Sequence, residues 1–143
     1  MFKAITKDPK VKKSIYIVGT NGLPVRYGGW GMLLHHLTLT LSKDYEIYVY
    51  TSMFEALKGV KEHNGVAIKV VPLKANGLQS IFYDFFTMLD ASIRRADHIL
   101  VLGVSGGFFF PLFKLFKSSV ILNPDGAEWK RSKFGGAVKR FLK

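Results

Sequence analysis

A chain of 143 residues with 48% hydrophobic side chains is one ordinary domain, long enough to bury about two thirds of its unfolded surface. The apolar share excludes a disordered tail, and the absence of cysteine excludes a disulfide framework and a Cys-ligated zinc site. A formal net charge of +11 selects for anionic partners: phosphates, nucleic acid or acidic lipid headgroups.

The leader, MFKAITKDPKVKK, is basic but lacks the apolar run and the small-residue cleavage site of an export signal. After it, residues 14–19 (SIYIVG) read as a buried strand, short, β-branched and closed by glycine. A loop rich in Gly and Pro follows over residues 20–28. A helix pattern then runs over residues 30–41, with Leu33, Leu34, Leu37 and Leu41 at helical spacing. Residues 45–51 and 66–73 read as the second and third strands, the latter entered through Asn64-Gly65. Residues 52–63 between them fit a short helix or a loop. The strongest helix pattern spans residues 78–95. Its apolar set, Leu78, Ile81, Phe82, Phe85, Leu89 and Ile93, forms a stripe expected to face the core, with Gln79, Asp84 and Asp90 away from it. Residues 98–103 (HILVLG) make a fourth strand, 108–117 a helix candidate, 120–123 a fifth strand, and 132–143 a basic terminal helix. The stretch free of Asp, Glu, Lys and Arg over residues 98–113 holds three glycines and a proline, unlike a membrane span.

Apolar strands alternating with helices specify a parallel sheet covered on both faces, and right-handed crossovers make it a doubly wound, Rossmann-like α/β sheet. No internal repeat or linker divides it, so residues 14–143 form one domain. In such sheets ligands lie beyond the carboxyl ends of the strands. Three loops are therefore of interest: residues 20–29, 103–107 and 123–133.

The first loop reads GTNGLPVRYGG. It is neither a dinucleotide fingerprint nor a P-loop. Gly28 and Gly29 at a helix start let backbone N–H groups approach an anion, with Arg26 and Tyr27 beside them. The same glycines equally suit a loop that needs their backbone angles. In the second loop Gly103 and Ser105 stand at a strand end. The third loop, NPDGAEWKR, sets Asn123, Asp125, Glu128, Trp129, Lys130 and Arg131 within nine residues. A carboxylate there can accept a proton or a sugar hydroxyl hydrogen bond, an indole stacks on a sugar ring, and Lys-Arg neutralises phosphate. A solvated Asp-Gly turn opening a helix explains part of the same pattern. His35, His36, His63 and His98 have no ligand spacing and read as structural or surface residues, with no metal expected. Residues 108–116 pack five phenylalanines beside lysine, which suits a core helix or a helix lying in a bilayer interface.

The stretches GTNGLPVRYGG, LGVSGG and above all NPDGAEWKRSKFG resemble the N-terminal half of bacterial GT-B glycosyltransferases, specifically the rhamnosyltransferase-like branch of family 4, of the DUF1972 type. The resemblance spans residues 14–143. It implies two Rossmann-like domains facing across a cleft, with this one receiving the acceptor. It places Gly28 and Gly29 by the donor diphosphate, Asp125 at the cleft position where relatives carry a catalytic or acceptor-contacting residue, and Trp129, Lys130 and Arg131 towards the acceptor or its lipid pyrophosphate; Asp125 and Glu128 are the candidate catalytic acids. The implied reaction is retaining transfer of a sugar, with rhamnose from a dTDP donor as a candidate, to a polyprenyl-diphosphate-linked saccharide during capsule or surface polysaccharide synthesis. No bound metal or cofactor is implied beyond the nucleotide-sugar substrate. The implied location is the cytoplasm, peripheral on the inner face of the membrane, with residues 108–116 and the basic terminal helix as the expected contacts.

Two departures stand out. Gly31 follows Trp30 where relatives commonly carry an acid, which removes a candidate hydroxyl contact. The donor domain of the family is not among these 143 residues, so the chain is expected to be inactive alone. The competing reading is a stand-alone module for polyanions. Its aromatics cluster in apolar runs instead of interleaving with Lys and Arg, which disfavours nucleic acid. A small Rossmann-type nucleotide enzyme lacks both the fingerprint and the ribose-binding acid.

Overall fold

The structure, a computed structural model, describes residues 11–24, 29–103, 109–113 and 115–124. In chain order these form β1 (Ser14–Val18), α1 (Gly29–Leu41), β2 (Glu46–Ser52), β3 (Glu62–His63), β4 (Val66–Val71), α2 (Gln79–Ile93), β5 (His98–Leu102), α3 (Phe110–Phe113) and β6 (Ser119–Asn123). They build one six-stranded sheet of order β3-β4-β2-β1-β5-β6. Only the β3–β4 pair is antiparallel, and the other neighbours run parallel. The sheet and its helices give the expected Rossmann-like α/β fold.

Period-two alternation in the strands divides the core in two. Ile15 and Ile17 of β1, Ile47 and Val49 of β2, Val66 of β4 and Leu102 of β5 pack on one face with Leu34 of α1. Tyr16 and Val18, Tyr50, Ile99 and Val101 pack on the other with Tyr83, Met88 and Ala91 of α2 and Phe113 of α3. Ile17 and Val18 both have no solvent exposure, so β1 is buried from both sides. Beyond α2, over β2 and β4, side chains close the second face. Tyr16 and Tyr48 stack with ring centroids 4.5 Å apart, and the Lys69 ammonium lies 5.5 Å from the Tyr48 ring.

Three sequence expectations change. Residues 62–63 form the short strand β3, which closes a hairpin on β4 through Asn64 and Gly65, both at positive φ. The helix expected over residues 108–117 is confined, among the described residues, to the single turn of α3. The described phenylalanines pack inward: Phe113 is buried, while Phe109, Phe110 and Phe116 are half-buried against the same core.

The third change concerns α2, whose face is turned. It buries Tyr83, Asp84, Thr87, Met88, Ala91 and Ser92, and leaves Leu78, Phe82, Phe86 and Ile93 exposed. The inner face sets the small side chains of Thr87, Ala91 and Ser92 beside Tyr83 and Met88. Their polar atoms bond to the helix itself, Thr87 Oγ1 donating to the Tyr83 carbonyl at 2.8 Å and Ser92 Oγ to the Met88 carbonyl at 2.8 Å. Burial of these hydroxyls therefore leaves no donor unsatisfied. Of the expected stripe, Phe85 and Leu89 pack half-buried against the core, while Leu78, Phe82 and Ile93 face outward.

Asp90 ties α2 to the sheet, accepting from the Tyr50 hydroxyl at 2.6 Å and from Arg94 Nε at 2.8 Å. Burial raises the Asp90 carboxyl, but Arg94 and Tyr50 outweigh it and hold its pKa below the usual carboxylate value. A depressed folded-state pKa stabilises the fold above the unfolded carboxylate pKa, and that contribution is lost as pH falls through the folded value. Asp90→Asn is expected to lower stability at pH 7 by about 1 kcal/mol, a figure kept small because the pair is partly screened by solvent. Thermal melts across pH should show the gap to wild type narrowing below about pH 4. A gap unchanged down to pH 2 would remove the ionised carboxylate from the account.

Candidate functional site

The strand order reverses beside β1. The chain moves from β1 to β2 and β4 on one side, then returns over α2 to β5 and β6 on the other. The crevice beyond the carboxyl ends of β1 and β5 is therefore the topological switch point, where open α/β sheets bind ligands. The three loops singled out in the sequence leave from β1, β5 and β6 at this edge.

Of the expected site residues, Gly29, Gly103 and Asn123 are described. Gly29 is the first residue of α1, and a Cβ built on it meets nothing within 4 Å. Gly103 follows β5 at φ +106 and also borders open space. Its N–H donates to the Asn123 carbonyl at 3.0 Å, which sets the ends of the second and third loops side by side. Arg26, Tyr27, Gly28, Ser105, Asp125, Glu128, Trp129, Lys130 and Arg131 lie outside the described residues, as does the terminal helix expected over 132–143.

The root of the first loop is fixed tightly. Gly22 has φ +102, and a Cβ there would overlap the Cα and Cβ of Thr51. Gly19, at φ +78, lies against the Leu102 carbonyl in the same way. Only glycine allows these two backbone approaches. Leu23 N–H donates to Thr51 Oγ1 at 3.1 Å, Gly22 N–H to Thr20 Oγ1 at 3.2 Å, and Ser52 N–H to the Asn21 carbonyl at 3.3 Å. From α2, the Tyr83 hydroxyl donates to the Thr20 carbonyl at 3.2 Å. Burial, then the Asp84 charge, pushes the Tyr83 phenol far above its ordinary pKa, so it remains a donor at any physiological pH. Sequence reasoning missed Tyr83, Thr51 and Thr20 as supports. Their signal was weak: one phenol in an apolar helix and a Thr at a strand end.

The edge therefore has two kinds of glycine. Gly19 and Gly22 pack the loop root against neighbouring strands, while Gly29 and Gly103 leave room above it. A cavity of about 370 Å³ opens at the opposite edge, between the amino ends of β2 and β4, lined by Lys12, Ser42, Tyr45, Glu46, Glu62 and Ala67 among others. Two acids against one cation make that cavity a poor receptor for an anion. Among the described residues no three His, Asp or Glu side chains gather to hold a metal, and no helix is long and apolar enough to cross a membrane.

Fold and edge together define a doubly wound α/β domain with its crevice at the β1/β5 switch point. Residues 12–143 match the family described as domain of unknown function DUF1972, and the chain belongs to that family. No curated protein shows a significant match to the chain.

The two glycine classes separate on mutation. Gly22→Ala should cost more than about 2 kcal/mol in a denaturant melt, from positive-φ strain and overlap with Thr51. Gly29→Ala should leave stability within about 0.5 kcal/mol of wild type. Equal losses would contradict the division into packing and open glycines.

Proposed function

We propose that this chain is the acceptor-side domain of a retaining glycosyltransferase that moves a sugar from a nucleotide donor to a lipid-linked saccharide in surface polysaccharide synthesis. Rhamnose from a dTDP donor is the leading donor candidate. The observation that carries the reading is that β1, β5 and β6, from which the three loops leave, end at one edge of the sheet, with Gly103 N–H bonded there to the Asn123 carbonyl. Those are the loops that hold the transferase-like stretches GTNGLPVRYGG, LGVSGG and NPDGAEWKRSKFG. The family occurs in glycosyltransferase-like proteins, which agrees with it.

In this reading Gly28 and Gly29 receive the donor diphosphate, Gly29 having open space beside it, with the start of α1 and Arg26 favouring its charge. Asp125, two residues beyond the end of β6, accepts the hydrogen bond of the attacking acceptor hydroxyl, and Glu128 flanks it. As the new glycosidic bond forms at the sugar's anomeric carbon, the bond from that carbon to the diphosphate breaks, and the hydroxyl proton leaves through a basic oxygen in the crevice. Trp129 stacks on the acceptor sugar, and Lys130 and Arg131 neutralise its lipid-linked diphosphate. The enzyme works at the inner face of the cytoplasmic membrane.

The charge of +11 favours one competing reading, a stand-alone module that holds polyanions. Salt-dependent DNA binding without sugar transfer in the full-length protein would select it. In the full-length protein, Asp125→Asn is expected to lower turnover at least about a hundredfold while circular dichroism and the thermal midpoint stay unchanged. Near-wild-type turnover would return Asp125 to the role of a turn residue.

A further inference from the structure

The outward face of α2 has no partner within the described chain. Leu78 just before the helix is 86% exposed, and Phe82, Phe86 and Ile93 are 61%, 51% and 65% exposed. At 100° per residue these four fall on the side of the helix opposite Thr87 and Ala91, which are fully buried against the sheet. Leu78, Phe82 and Phe86 therefore form an exposed apolar row about 12 Å long, with Ile93 exposed about two turns further along the helix. Stripes of this kind mark interaction surfaces.

Charge indicates the occupant. Lys74, whose N–H donates to Gln79 in the first turn of α2, is exposed at one end of the stripe, and Arg94 and Arg95 are exposed at the other. The acids of α2 are the buried Asp84 and the half-buried Asp90, the latter already bonded to Arg94. Apolar residues along a helix with cations at both ends match an anionic lipid surface, where the stripe enters the acyl boundary and the cations meet headgroups. A second copy fits less well. Pairing the stripe with itself buries roughly several hundred Å², short of the about 1,000 Å² of a specific interface, and brings two chains of +11 together.

We propose that the outer face of α2, centred on Phe82 and Phe86, is the surface by which this domain seats on an anionic membrane. Phe109, Phe110, Phe113 and Phe116, packed into the core, do not supply it. Placement gives the surface a purpose, which rests on the lipid-linked acceptor of the proposed function. Tyr83, beside Phe82, bonds to the root of the first loop, so the amino-terminal part of the stripe borders the switch-point crevice. A diphosphate carried on a membrane-embedded lipid is thereby presented at the rim of the site.

The test is co-sedimentation of the 143-residue chain with vesicles of equal phosphatidylglycerol and phosphatidylcholine, and with phosphatidylcholine alone. Wild type is expected to partition onto the anionic vesicles. Phe82→Ser/Phe86→Ser is expected to lose at least tenfold in partition with its thermal midpoint within about 5 °C of wild type, and Met32→Ser, an exposed change on α1, to lose nothing. Equal binding by the double variant would overturn the assignment to α2 while leaving membrane association in place on another surface. Absence of wild-type binding would overturn membrane docking altogether. Three further results would also overturn it: a dimer lost in the double variant without vesicle binding, a larger fall in its thermal midpoint, which would mean that the chain covers its own stripe, or equal loss in Met32→Ser. Sugar transfer by the full-length double variant to a water-soluble acceptor separates this proposal from the transferase reading, because only failure there counts against the latter.

Discussion

Everything in this fold depends on β1 being buried on both faces. A parallel strand with Ile17 and Val18 wholly shielded must have helices above and below it, and the chain provides them by crossing first to one side and then to the other. That reversal opens the crevice beside the end of β1. The core and the candidate site are thus consequences of one packing requirement. Two glycines after β1, Gly19 and Gly22, let the chain lie against the Leu102 backbone and against Thr51.

The second support is α2. It holds the loop root from one side through Tyr83 and anchors the sheet from the other through Asp90 and Tyr50. A buried phenol that bonds only a backbone carbonyl contributes modestly to stability, about 1 kcal/mol, but it fixes where the first loop begins. Inner-face hydroxyls satisfied within the helix let α2 spend its apolar residues elsewhere. Its inward face holds the fold together and its outward face is available to a surface.

Five main strands and two long helices were legible in the sequence because buried parallel strands and helical spacing are dominant patterns. The end of β5 was legible from its glycine, and Gly103 indeed turns there at positive φ. The orientation of α2 was not. Periodicity reports that a helix has an apolar side, not which way that side faces, and a helix whose inner face is Tyr, Thr, Met, Ala and Ser looks reversed. β3 escaped because two residues carry no period, and its only sign was the Asn64-Gly65 turn. The Phe-rich segment looked like a long helix because five rings in nine residues fit many periods. Among the candidate site residues, the positions at strand ends follow from topology, whereas roles such as those of Asp125 and Trp129 rest on resemblance and chemistry. Tyr83 was hidden because its function depends on a contact across 63 residues.

Binding of a diphosphate-bearing substrate in the crevice at the β1/β5 switch point, as proposed, is read by backbone amide NMR of the 143-residue chain titrated with a water-soluble short-chain prenyl diphosphate. Saturable shift changes are expected at Thr20, Asn21, Gly22, Gly29, Gly103 and Asn123. Shifts confined to the opposite edge around Lys12, Glu46 and Glu62, or no response in the crevice at saturating ligand, would contradict it.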